Sequence, residues 1–336
     1  MEKHLYHPVR IGSLIIPGNL FLAPLAGFTD PAFRQLCLEY GASLTYSEMV
    51  SAEALARNSE KTMHLMKRSP GETFLGIQIF LSDSSTARRA LPVLLKAHPS
   101  LIDINCGCPV PKVVKTGSGS ALMRNPEKIG DIVRVLTENT DIPVTVKIRS
   151  GWDSSSINYL EAAEYAVKAG ASLITMHPRT RTQGYSGFAD WSMLNKLKNS
   201  IDVPVVGSGN LFTPEDAQMM LKETGIDGVM FARGAIGNPF IFEKTKELLT
   251  TGSCAGTVSV NKRFSAALTH LKKCIDDKGE SVACREMRKH IGSYTKGIRG
   301  GAALRNFIVH ASTYAEYDEI FSRFLAAKPF SDKSHT

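Results

Sequence analysis

The segment DINCGCP, residues 103–109, places an amide and a thiol where a short apolar run ends. Asn105 supplies the amide and Cys108 supplies the thiol, and the run 101–104 turns sharply through glycine and proline at these residues. Parallel α/β enzymes place catalytic groups at such C-terminal strand ends. A free cysteine is more often a small buried hydrophobic residue, so the thiol alone leaves packing and catalysis both open.

A lysine and an arginine end another apolar run, VTVKIR, at Lys147 and Arg149. A lysine at the end of a buried strand is costly unless its ammonium is solvated or faces an anion. Two uses of Lys147 follow, which are contact with an anionic group and the Schiff-base chemistry of barrel aldolases. The sequence has no carboxylate-rich strand ends that would support aldol chemistry.

His177 ends a third run, 172–177, and two arginines follow it at alternate positions, Arg179 and Arg181. A lone histidine is more often a structural residue than a catalyst. The polar segment 182–187 has the composition of an exposed loop, and loops of this kind carry functional residues. The two arginines beside it predict contacts with phosphate.

Two glycine-rich segments follow the last two apolar runs, GSGN at 207–210 and ARGAIGNP at 232–239. In (β/α)8 barrels the loops after strands seven and eight commonly bind phosphate through backbone amides and a helix N-terminus. Glycine permits close approach, and Arg233 adds a bidentate cation. Each segment alone is a weak signal, but their positions together predict a cofactor that carries a phosphate.

Eight short runs rich in Val, Ile and Leu recur along the chain, with helical segments between them. They predict strands at 20–24, 44–47, 73–80, 101–105, 143–148, 172–177, 204–207 and 228–232. Their lack of polar–apolar alternation is typical of parallel strands buried on both faces. Helix starts are marked by a capping residue before proline at 30–31, 125–126 and 213–214. This α/β repeat predicts a TIM (β/α)8 barrel, and the missing Gly-x-Gly-x-x-Gly after the first strand disfavours a Rossmann fold.

The pattern changes after residue 249. Residues 250–256 form a Gly/Ser/Thr linker, and apolar residues then recur at helical spacing from Phe264 to Leu271 and from Met287 to Tyr294. We therefore expect a small C-terminal helical domain. The chain has a net charge of +8, and residues 256–336 alone carry 14 Lys and Arg against 8 Asp and Glu. Such a surface indicates a polyanion partner, although a solvated helical face has the same composition.

The bulk composition excludes several classes of protein. The chain of 336 residues is 43% hydrophobic and 21% charged, which is ordinary for a globular protein. Its apolar runs have strand length and its N-terminus lacks a signal-peptide core, so we expect a cytoplasmic protein without a membrane segment. Six cysteines in a chain of this length do not predict a disulfide framework. Cys106 and Cys108 lack a second Cys/His pair at zinc-like spacing, so no metal site is expected.

Taken together, these motifs resemble the tRNA-dihydrouridine synthases, flavoenzymes that reduce uridine in tRNA, and most closely the bacterial B-type branch. The resemblance covers nearly the whole chain. It rests on APLAGFTD at 23–30, GIQ at 76–78, DINCGCP at 103–109, VKIR at 146–149, HPRTR at 177–181, GSGN at 207–210, ARG at 232–234 and MRKHIGSY at 287–294. Two positions depart from it, since Cys106 and Ala232 stand where the family often has methionine and glycine.

The resemblance implies an FMN-binding catalytic barrel at 1–250 and a helical tRNA-binding domain at 256–330. The implied cofactor-binding residues are Pro24, Leu25, Ala26, Gln78, Lys147, His177, Ser208, Gly209, Asn210, Ala232 and Arg233. Asn105, Arg149 and Arg179 would orient the substrate, and Cys108 would be the catalytic acid. NADPH is the implied co-substrate and tRNA the implied partner. The oligomeric state stays open, with a monomer favoured.

The implied reaction has two halves. NADPH reduces FMN, and hydride then passes from flavin N5 to C6 of a flipped-out uridine while Cys108 protonates C5. A cysteine with an ordinary pKa of about 8.5 is protonated at neutral pH, as an acid must be.

Three other functions stay open. Two of them leave a feature of this chain without a use, and the third needs residues that the sequence does not contain. A flavin barrel that reduces a small molecule has no use for a basic helical tail. An RNA-binding barrel without catalysis does not need the intact set of Cys108, Lys147 and Arg233. An isomerase barrel that binds phosphate without flavin would need paired Glu/His acids at its strand ends, which the sequence does not offer.

Overall fold

A computed structural model describes residues 4–254 and 256–327 of the chain. The described residues form two compact units. The barrel unit comprises 4–235 and 241–254, and the helical unit comprises 236–240 and 256–327. None of the helices in these ranges is both long enough and apolar enough to cross a membrane.

The barrel unit contains all the strands found in the described residues. They are β1 Val9–Ile11, β2 Leu14–Ile16, β3 Leu20–Leu22, β4 Thr45–Tyr46, β5 Val50–Ser51, β6 Leu75–Phe80, β7 Leu101–Cys106, β8 Val144–Arg149, β9 Ile174–His177, β10 Val205–Ser208 and β11 Gly228–Phe231. Eight are parallel neighbours in the order β3-β11-β10-β9-β8-β7-β6-β4. The backbone N–H groups of 43 and 22 donate to the carbonyls of 20 and 44 over 2.8 and 2.9 Å, which joins β3 to β4. The sheet is therefore a nearly closed TIM barrel.

This architecture confirms the predicted fold, and each of the eight predicted strands overlaps an observed one. The second is shorter than predicted, with only Thr45–Tyr46 paired in the ladder. The hairpin of β1 and β2 was not predicted, because its three-residue strands are too short to show a period. β5 was missed for the same reason.

Helices alternate with the barrel strands and continue beyond them. They are α1 Pro31–Glu39, α2 Ala52–Ala56, α3 Glu60–His64, α4 Ser84–Leu95, α5 Pro111–Val114, α6 Pro126–Thr137, α7 Tyr159–Lys168, α8 Ser192–Lys198, α9 Pro214–Thr224, α10 Phe240–Thr251, α11 Val260–Lys278, α12 Glu280–Tyr294, α13 Gly301–Ile308 and α14 Tyr314–Ala326, with 3-10 helices at Gly119–Arg124 and Arg233–Ala235. α10 runs through Thr251, so the linker begins two residues later than predicted.

The three predicted helix starts are confirmed by their caps. Asp30 accepts a hydrogen bond from the backbone of Phe33, and Asn125 accepts one from Lys128. At α9, the side chain of Thr213 caps the helix while the N3 residue bonds back to it, which completes a capping box. Each cap places a helix directly after a strand end.

The barrel unit has two hydrophobic layers. The larger lies between the strands and the surrounding helices. The smaller fills the N-terminal half of the barrel with residues from five different strands or their immediate flanks, Phe21, Leu101, Leu173, Val206 and Met230. The hairpin of β1 and β2 packs into the same cluster through Val9, Ile11 and Ile16. This hairpin plug closes the N-terminal end, so the C-terminal end is left for chemistry.

The helical unit has an apolar core of its own. Phe264 and Leu271 of α11 are buried, as are Met287 and Tyr294 of α12, which confirms the helical spacing seen in the sequence. The ring of Phe264 stacks on that of Phe321 at 4.3 Å between centroids.

Candidate active site

The strand register brings the predicted polar residues together at the C-terminal end of the barrel. Gln78 of β6 pairs with Asp103 of β7, and Asn105 of β7 pairs with Lys147 of β8. Arg149, at the end of β8, pairs with His177 of β9. Residues that are up to about a hundred positions apart in sequence therefore line one continuous edge.

A chain of hydrogen bonds connects the barrel interior to the Cys108 turn. Gln78 Nε2 donates to Asp103 Oδ2 over 2.6 Å, and Asn105 Nδ2 donates to Gln78 Oε1 over 2.7 Å. The backbone N–H groups of Gly107 and Cys108 donate to Asn105 Oδ1 over 3.1 and 2.9 Å. Because a carboxylate can only accept, Asp103 fixes which way both amides point. We call these three side chains the amide chain.

Asp103 is a residue of this candidate site that sequence reasoning missed. It is 1% exposed, and Thr145 Oγ1 donates to its Oδ1 over 2.6 Å. Burial raises the pKa of Asp103 to about 6, against the opposing effects of Thr145, Gln78 and Lys147. The available signal was a lone carboxylate inside an apolar strand, a placement that proteins rarely tolerate without partners.

Gln78 and Asn105, which are predicted to contact the cofactor and the substrate, use several of their polar atoms within the amide chain. Besides its bond to Gln78, Asn105 Nδ2 lies 3.0 Å from the sulfur of Met49. The amides of Gln78 and Asn105 therefore satisfy each other first. The carboxamide of Gln78 therefore makes structural hydrogen bonds to the neighbouring strand β7.

The Cys108 turn is also held from its other side. Ser120 donates to the Cys108 carbonyl from its backbone N–H and its hydroxyl, over 3.0 and 2.9 Å. Gly119 lies in the left-handed region at φ +63°, and a Cβ there would come within 2.9 Å of the same carbonyl. Only glycine permits this approach, so the cysteine is fixed on a rigid turn.

The thiol of Cys108 has the protonation state of an acid. The residue is 8% exposed, and burial raises its pKa, while the Val110 backbone and the charges of Arg149 and Lys147 oppose the rise. It is therefore protonated at neutral pH, unlike nucleophilic cysteines. Cys106 is fully buried in the layer between strands and helices, where burial raises its pKa well above the ordinary value.

Lys147 carries a charge that its surroundings only partly offset. Burial and then Arg149 lower the pKa of Lys147 to about 8, while Asp103 and Cys108 raise it. The ammonium is thus mostly protonated at neutral pH. Within residues 4–254 and 256–327, no hydrogen bond to it is found. The lowered pKa is compatible with both predicted uses of this half-buried lysine, contact with an anionic group and Schiff-base chemistry.

Arg149 and Arg179 both lie at this edge but use their donors differently. Arg149 donates from Nε to Gly107 and from Nη1 to the carbonyls of 180 and 184, over 2.8 to 2.9 Å. Its Nη2 has no partner among the described residues. Arg179 is 1% exposed and donates to His177, Asn210 and the carbonyls of 186 and 187. It therefore braces the loop 177–187 and retains a single unused N–H.

The tautomer of His177 follows from its arginine neighbour. Arg179 Nη1 lies 3.0 Å from His177 Nε2, and a guanidinium can only donate, so Nε2 accepts and the proton is on Nδ1. Burial, followed by the charges of Lys147 and the nearby arginines, lowers the pKa of His177 to about 2. His177 is thus a neutral residue that presents an N–H donor at Nδ1.

The glycine-rich end of β10 forms a narrow cradle. Gly209 has φ +109°, and a Cβ there would come within 2.7 Å of His177 Cδ2. Ser208 Oγ donates to the Met230 carbonyl over 2.9 Å, and Asn210 Oδ1 accepts from Arg179 and from the backbone of 189. These three predicted residues thus shape the backbone of the cradle.

Residues from the first and last strands complete the rim. The backbone N–H of 23 donates to the carbonyl of 231 over 2.8 Å, which brings Pro24, Leu25 and Ala26 beside Ala232. All four are partly or fully exposed. Arg233 is exposed as well, and its guanidinium lies 4.4 Å from the ring of Tyr185.

The match to known proteins agrees with this geometry. The family model described as "Dihydrouridine synthase (Dus)" matches residues 21–328. The chain belongs to this family. It is 47% identical over 328 residues to a probable tRNA-dihydrouridine synthase of Treponema pallidum, covering 94% of this chain and 96% of that one. It is 38% identical to tRNA-dihydrouridine synthase B of Shewanella oneidensis, with 85% and 89% covered. The resemblance drawn from the motifs, including the B-type likeness, is confirmed.

Solved structures support the fold alone. The old yellow enzyme homologue of Zymomonas mobilis is similar with a TM-score of 0.52 at 13% identity, covering 76% of this chain and 95% of that one. A 2-naphthoyl-CoA reductase is similar with a TM-score of 0.60 at 11% identity, covering 95% and 70%. At these identities the shared feature is the barrel. Family membership establishes the protein as an oxidoreductase.

Proposed function

We propose that the protein is a tRNA-dihydrouridine synthase that uses FMN and NADPH to reduce the C5=C6 bond of uridine in tRNA. One observation carries the proposal: a protonated Cys108 thiol is held on a rigid strand-end turn, one strand away from the cation Lys147. Membership of the dihydrouridine synthase family and the names of the relatives support it.

The phosphate of FMN would be held at the ends of β10 and β11. The cradle at Ser208, Gly209 and Asn210 turns through a glycine at φ +109°, so no side chain at its centre would cover the backbone N–H groups that an oxyanion would meet. Arg233 is exposed beside it and adds a planar cation. The loops of the last two barrel strands are the usual phosphate site of this fold.

The ring of FMN would lie over the C-terminal strand edge. Lys147 offers an ammonium to the ring, and His177 offers an N–H at Nδ1. Gln78 offers the second N–H of its Nε2 and the second lone pair of its Oε1, which are not used within the amide chain. The partly exposed Pro24 and Leu25 and the exposed Ala26, beside Ala232, offer apolar surfaces to the ring. Burial, followed by the charges of Lys147 and three arginines, lowers the pKa of His177, and these four cations give the site a positive potential that suits an anionic cofactor.

When bound, reduced FMN supplies the hydride that uridine receives at C6. Cys108 supplies the proton for C5, so the two hydrogens of dihydrouridine are accounted for. The thiolate that remains is favoured by the charges of Arg149 and Lys147, which lower the pKa of this thiol against burial. Asn105 would position Cys108, because its Oδ1 accepts from the Cys108 backbone N–H. Arg149 Nη2 and the remaining N–H of Arg179 offer hydrogen-bond donors to the base.

The tRNA would be gripped in part by the helical unit. Its exposed cations include Lys272, Arg285 and Lys296, spread over α11, α12 and the segment after it. Neutralising phosphates with such residues releases counterions, which makes binding tight at low salt and weak at high salt. A uridine in folded tRNA must leave its stack to reach the barrel, since C6 is otherwise inaccessible.

The direct test is product analysis. Purified protein loaded with FMN is incubated with NADPH and an unmodified tRNA transcript, and nucleosides are analysed by mass spectrometry. We expect dihydrouridine only when NADPH is present, and loss of specific dihydrouridines from the tRNA of a strain lacking the gene. If FMN-loaded protein forms no dihydrouridine in any tRNA of its own source, the proposal is wrong.

A further inference from the structure

Three loops at the C-terminal end of the barrel bring two arginines to one tryptophan. The guanidinium carbon of Arg124 lies 3.5 Å from the centre of the Trp152 ring, and that of Arg181 lies 4.6 Å from it. The three residues follow β7, β8 and β9, which are neighbours in the barrel. We call them the Arg–Trp–Arg cluster.

Hydrogen bonds between these loops hold the cluster in place. The backbone N–H groups of 181–182 donate to the carbonyls of 151–152 over 3.0 and 3.1 Å. The side chain of Asn158 donates over 2.7 Å to the carbonyl of Met123, which directly precedes Arg124. The two cations are therefore positioned in advance, so a ligand that meets them loses little affinity to ordering.

The positive charge of the cluster is not neutralised locally. Within the ranges that the structure describes, neither Arg124 nor Arg181 pairs with a carboxylate. The adjacent acid, Asp153, accepts hydrogen bonds from Ser155 and Ser156 over 2.7 to 3.0 Å, and those serines lower its pKa. The local partners of Asp153 are thus serines and not the two arginines.

A single stacked arginine would need no special explanation, because cation–π pairs occur roughly once per 70–80 residues. Two cations on one ring are different. Each stacking contact is only weakly stabilising at an exposed site, whereas the two like charges repel each other. An anion between or beside the guanidiniums removes this repulsion, so the arrangement is suited to an anionic ligand.

The cluster flanks the catalytic turn on two sides. Arg124 ends the 3-10 helix Gly119–Arg124, whose second residue, Ser120, donates twice to the carbonyl of Cys108. Arg181 follows Thr180, whose carbonyl accepts from Arg149. The elements that carry the two arginines therefore also hold the backbone of Cys108 and the side chain of Arg149.

We propose that Arg124 and Arg181, held against Trp152, bind the sugar–phosphate backbone of the RNA next to the uridine that is reduced. This inference rests on the proposed function and specifies where the barrel itself contacts the RNA. A guanidinium stacked on a ring keeps its N–H edge free, and that edge matches phosphate oxygens bidentately. Contacts of this kind position the nucleic acid and do not read its sequence.

The experiment measures tRNA binding to full-length, FMN-loaded protein over a range of KCl concentrations by fluorescence anisotropy. Arg124→Ala and Arg181→Ala should each weaken binding roughly three- to thirtyfold at moderate salt, because a charge-assisted contact is lost. Each should also reduce the slope of log K against log salt by about one phosphate contact. Dihydrouridine formation should show a raised KM for tRNA.

Two further variants serve as controls. Arg124→Lys keeps the charge but loses the planar edge, so its salt slope should match the wild type while its affinity falls by less than that of Arg124→Ala. Arg88→Ala removes an equally exposed arginine from α4, on the outer face of the barrel, and should leave both affinity and slope within about twofold of the wild type.

The outcomes separate this inference from the function on which it rests. A wild-type protein that binds tRNA and forms dihydrouridine, with both alanine variants equal to it in affinity and salt slope, overturns the inference alone. Affinity losses that only accompany loss of FMN or of thermal stability would assign the arginines to the fold and overturn it as well. A wild-type protein that neither binds tRNA nor forms dihydrouridine contradicts the proposed function itself.

Discussion

The two ends of the barrel are built from the same strands, but one end is packed with apolar side chains and the other holds the polar network. At the N-terminal end, Leu101 of β7 packs against the hairpin plug in a wholly apolar cluster. Four residues later on the same strand, Asn105 belongs to a network of amides around a buried carboxylate. One strand therefore carries a packing residue at its start and a chemical residue at its end.

Stability and reactivity are separated between the apolar N-terminal end and the polar C-terminal end of the barrel. The polar end contains charges that burial disfavours, since the pKa of Asp103 is raised to about 6 and that of Lys147 is lowered to about 8. Such groups destabilise the fold by themselves. The apolar end supplies hydrophobic burial that does not depend on the chemistry, so changes at the two ends should have separable effects.

The largest effect should come from Cys108→Ala at the polar end. Removing the acid should reduce dihydrouridine formation roughly 100- to 10,000-fold, because general-acid groups contribute in that range. FMN content and NADPH oxidation should persist, since the methyl group keeps the turn. Product is measured by mass spectrometry and flavin reduction by absorbance.

The neighbouring cysteine is the control for that prediction. Cys106→Ala leaves the turn intact and lies in the layer between strands and helices, so it should affect stability more than the rate. If Cys108→Ala forms dihydrouridine at a near-normal rate, the proton comes from another group.

At the apolar end, Ile16→Ala should destabilise the protein without altering the chemistry. Ile16 is fully buried in the hairpin plug, and truncating such a side chain costs about 2–5 kcal/mol in the free energy of unfolding. Ile15, next to it, is 55% exposed, so Ile15→Ala should cost far less. Denaturant titration gives both values. A large loss of turnover in folded Ile16→Ala protein would show that the two ends are coupled.

The pH dependence of stability should identify the buried carboxylate. The pKa of Asp103 is about 6 in the folded protein against an ordinary 3.8, so the folded state holds this proton more tightly. Its contribution is complete below pH 3.8 and is lost as the pH rises through 6. Relative to Asp103→Asn, the wild type should lose on the order of 2–3 kcal/mol over that window.

The asparagine variant is suited to this measurement because it keeps the hydrogen bonds. Its carbonyl can accept from Gln78 while its amide donates to Thr145, whose hydroxyl can turn to accept. Unfolding of both proteins at pH 4, 5, 6 and 7 gives the difference. Parallel curves across the window would mean that Asp103 does not titrate there.

The smallest of these effects is expected at the cradle. Gly209→Ala adds a Cβ 2.7 Å from His177 and strains a residue at φ +109°, so FMN affinity should fall roughly tenfold. Gly225→Ala is the matched control, since it has φ +66° with open space around it and caps α9. Calorimetric titration of the apo-proteins with FMN measures the difference. Equal affinities in the two variants would remove the cradle from the cofactor site.

The sequence predicts the barrel well because each strand and helix start carries a local signal. The run 143–148 and the cap at 213–214 can be read without any tertiary information. The hairpin plug could not be predicted, since three-residue strands acquire meaning only through packing.

The site divides in the same way. Cys108 and Lys147 can be recognised in the sequence, because each is an unusual residue type at the end of a predicted strand. The partners of Gln78 and Asn105 cannot, because they are set by the register between separate strands. The brace made by Arg179 also depends on tertiary structure, because it reaches Asn210 in the loop after β10. The role of Asp103 needed the structure for the same reason.

The amide chain restricts how these positions can change during evolution. Gln78→Glu would set a second carboxylate against Asp103, and Asn105→Asp would set an acceptor against the Gln78 carbonyl, so neither change is tolerated alone. Each side chain sets which atom of the next one donates and which accepts, so a change at one of these positions must be compensated by a change at its hydrogen-bond partner. Positions 78, 103 and 105 should therefore be inherited as one covarying unit among relatives.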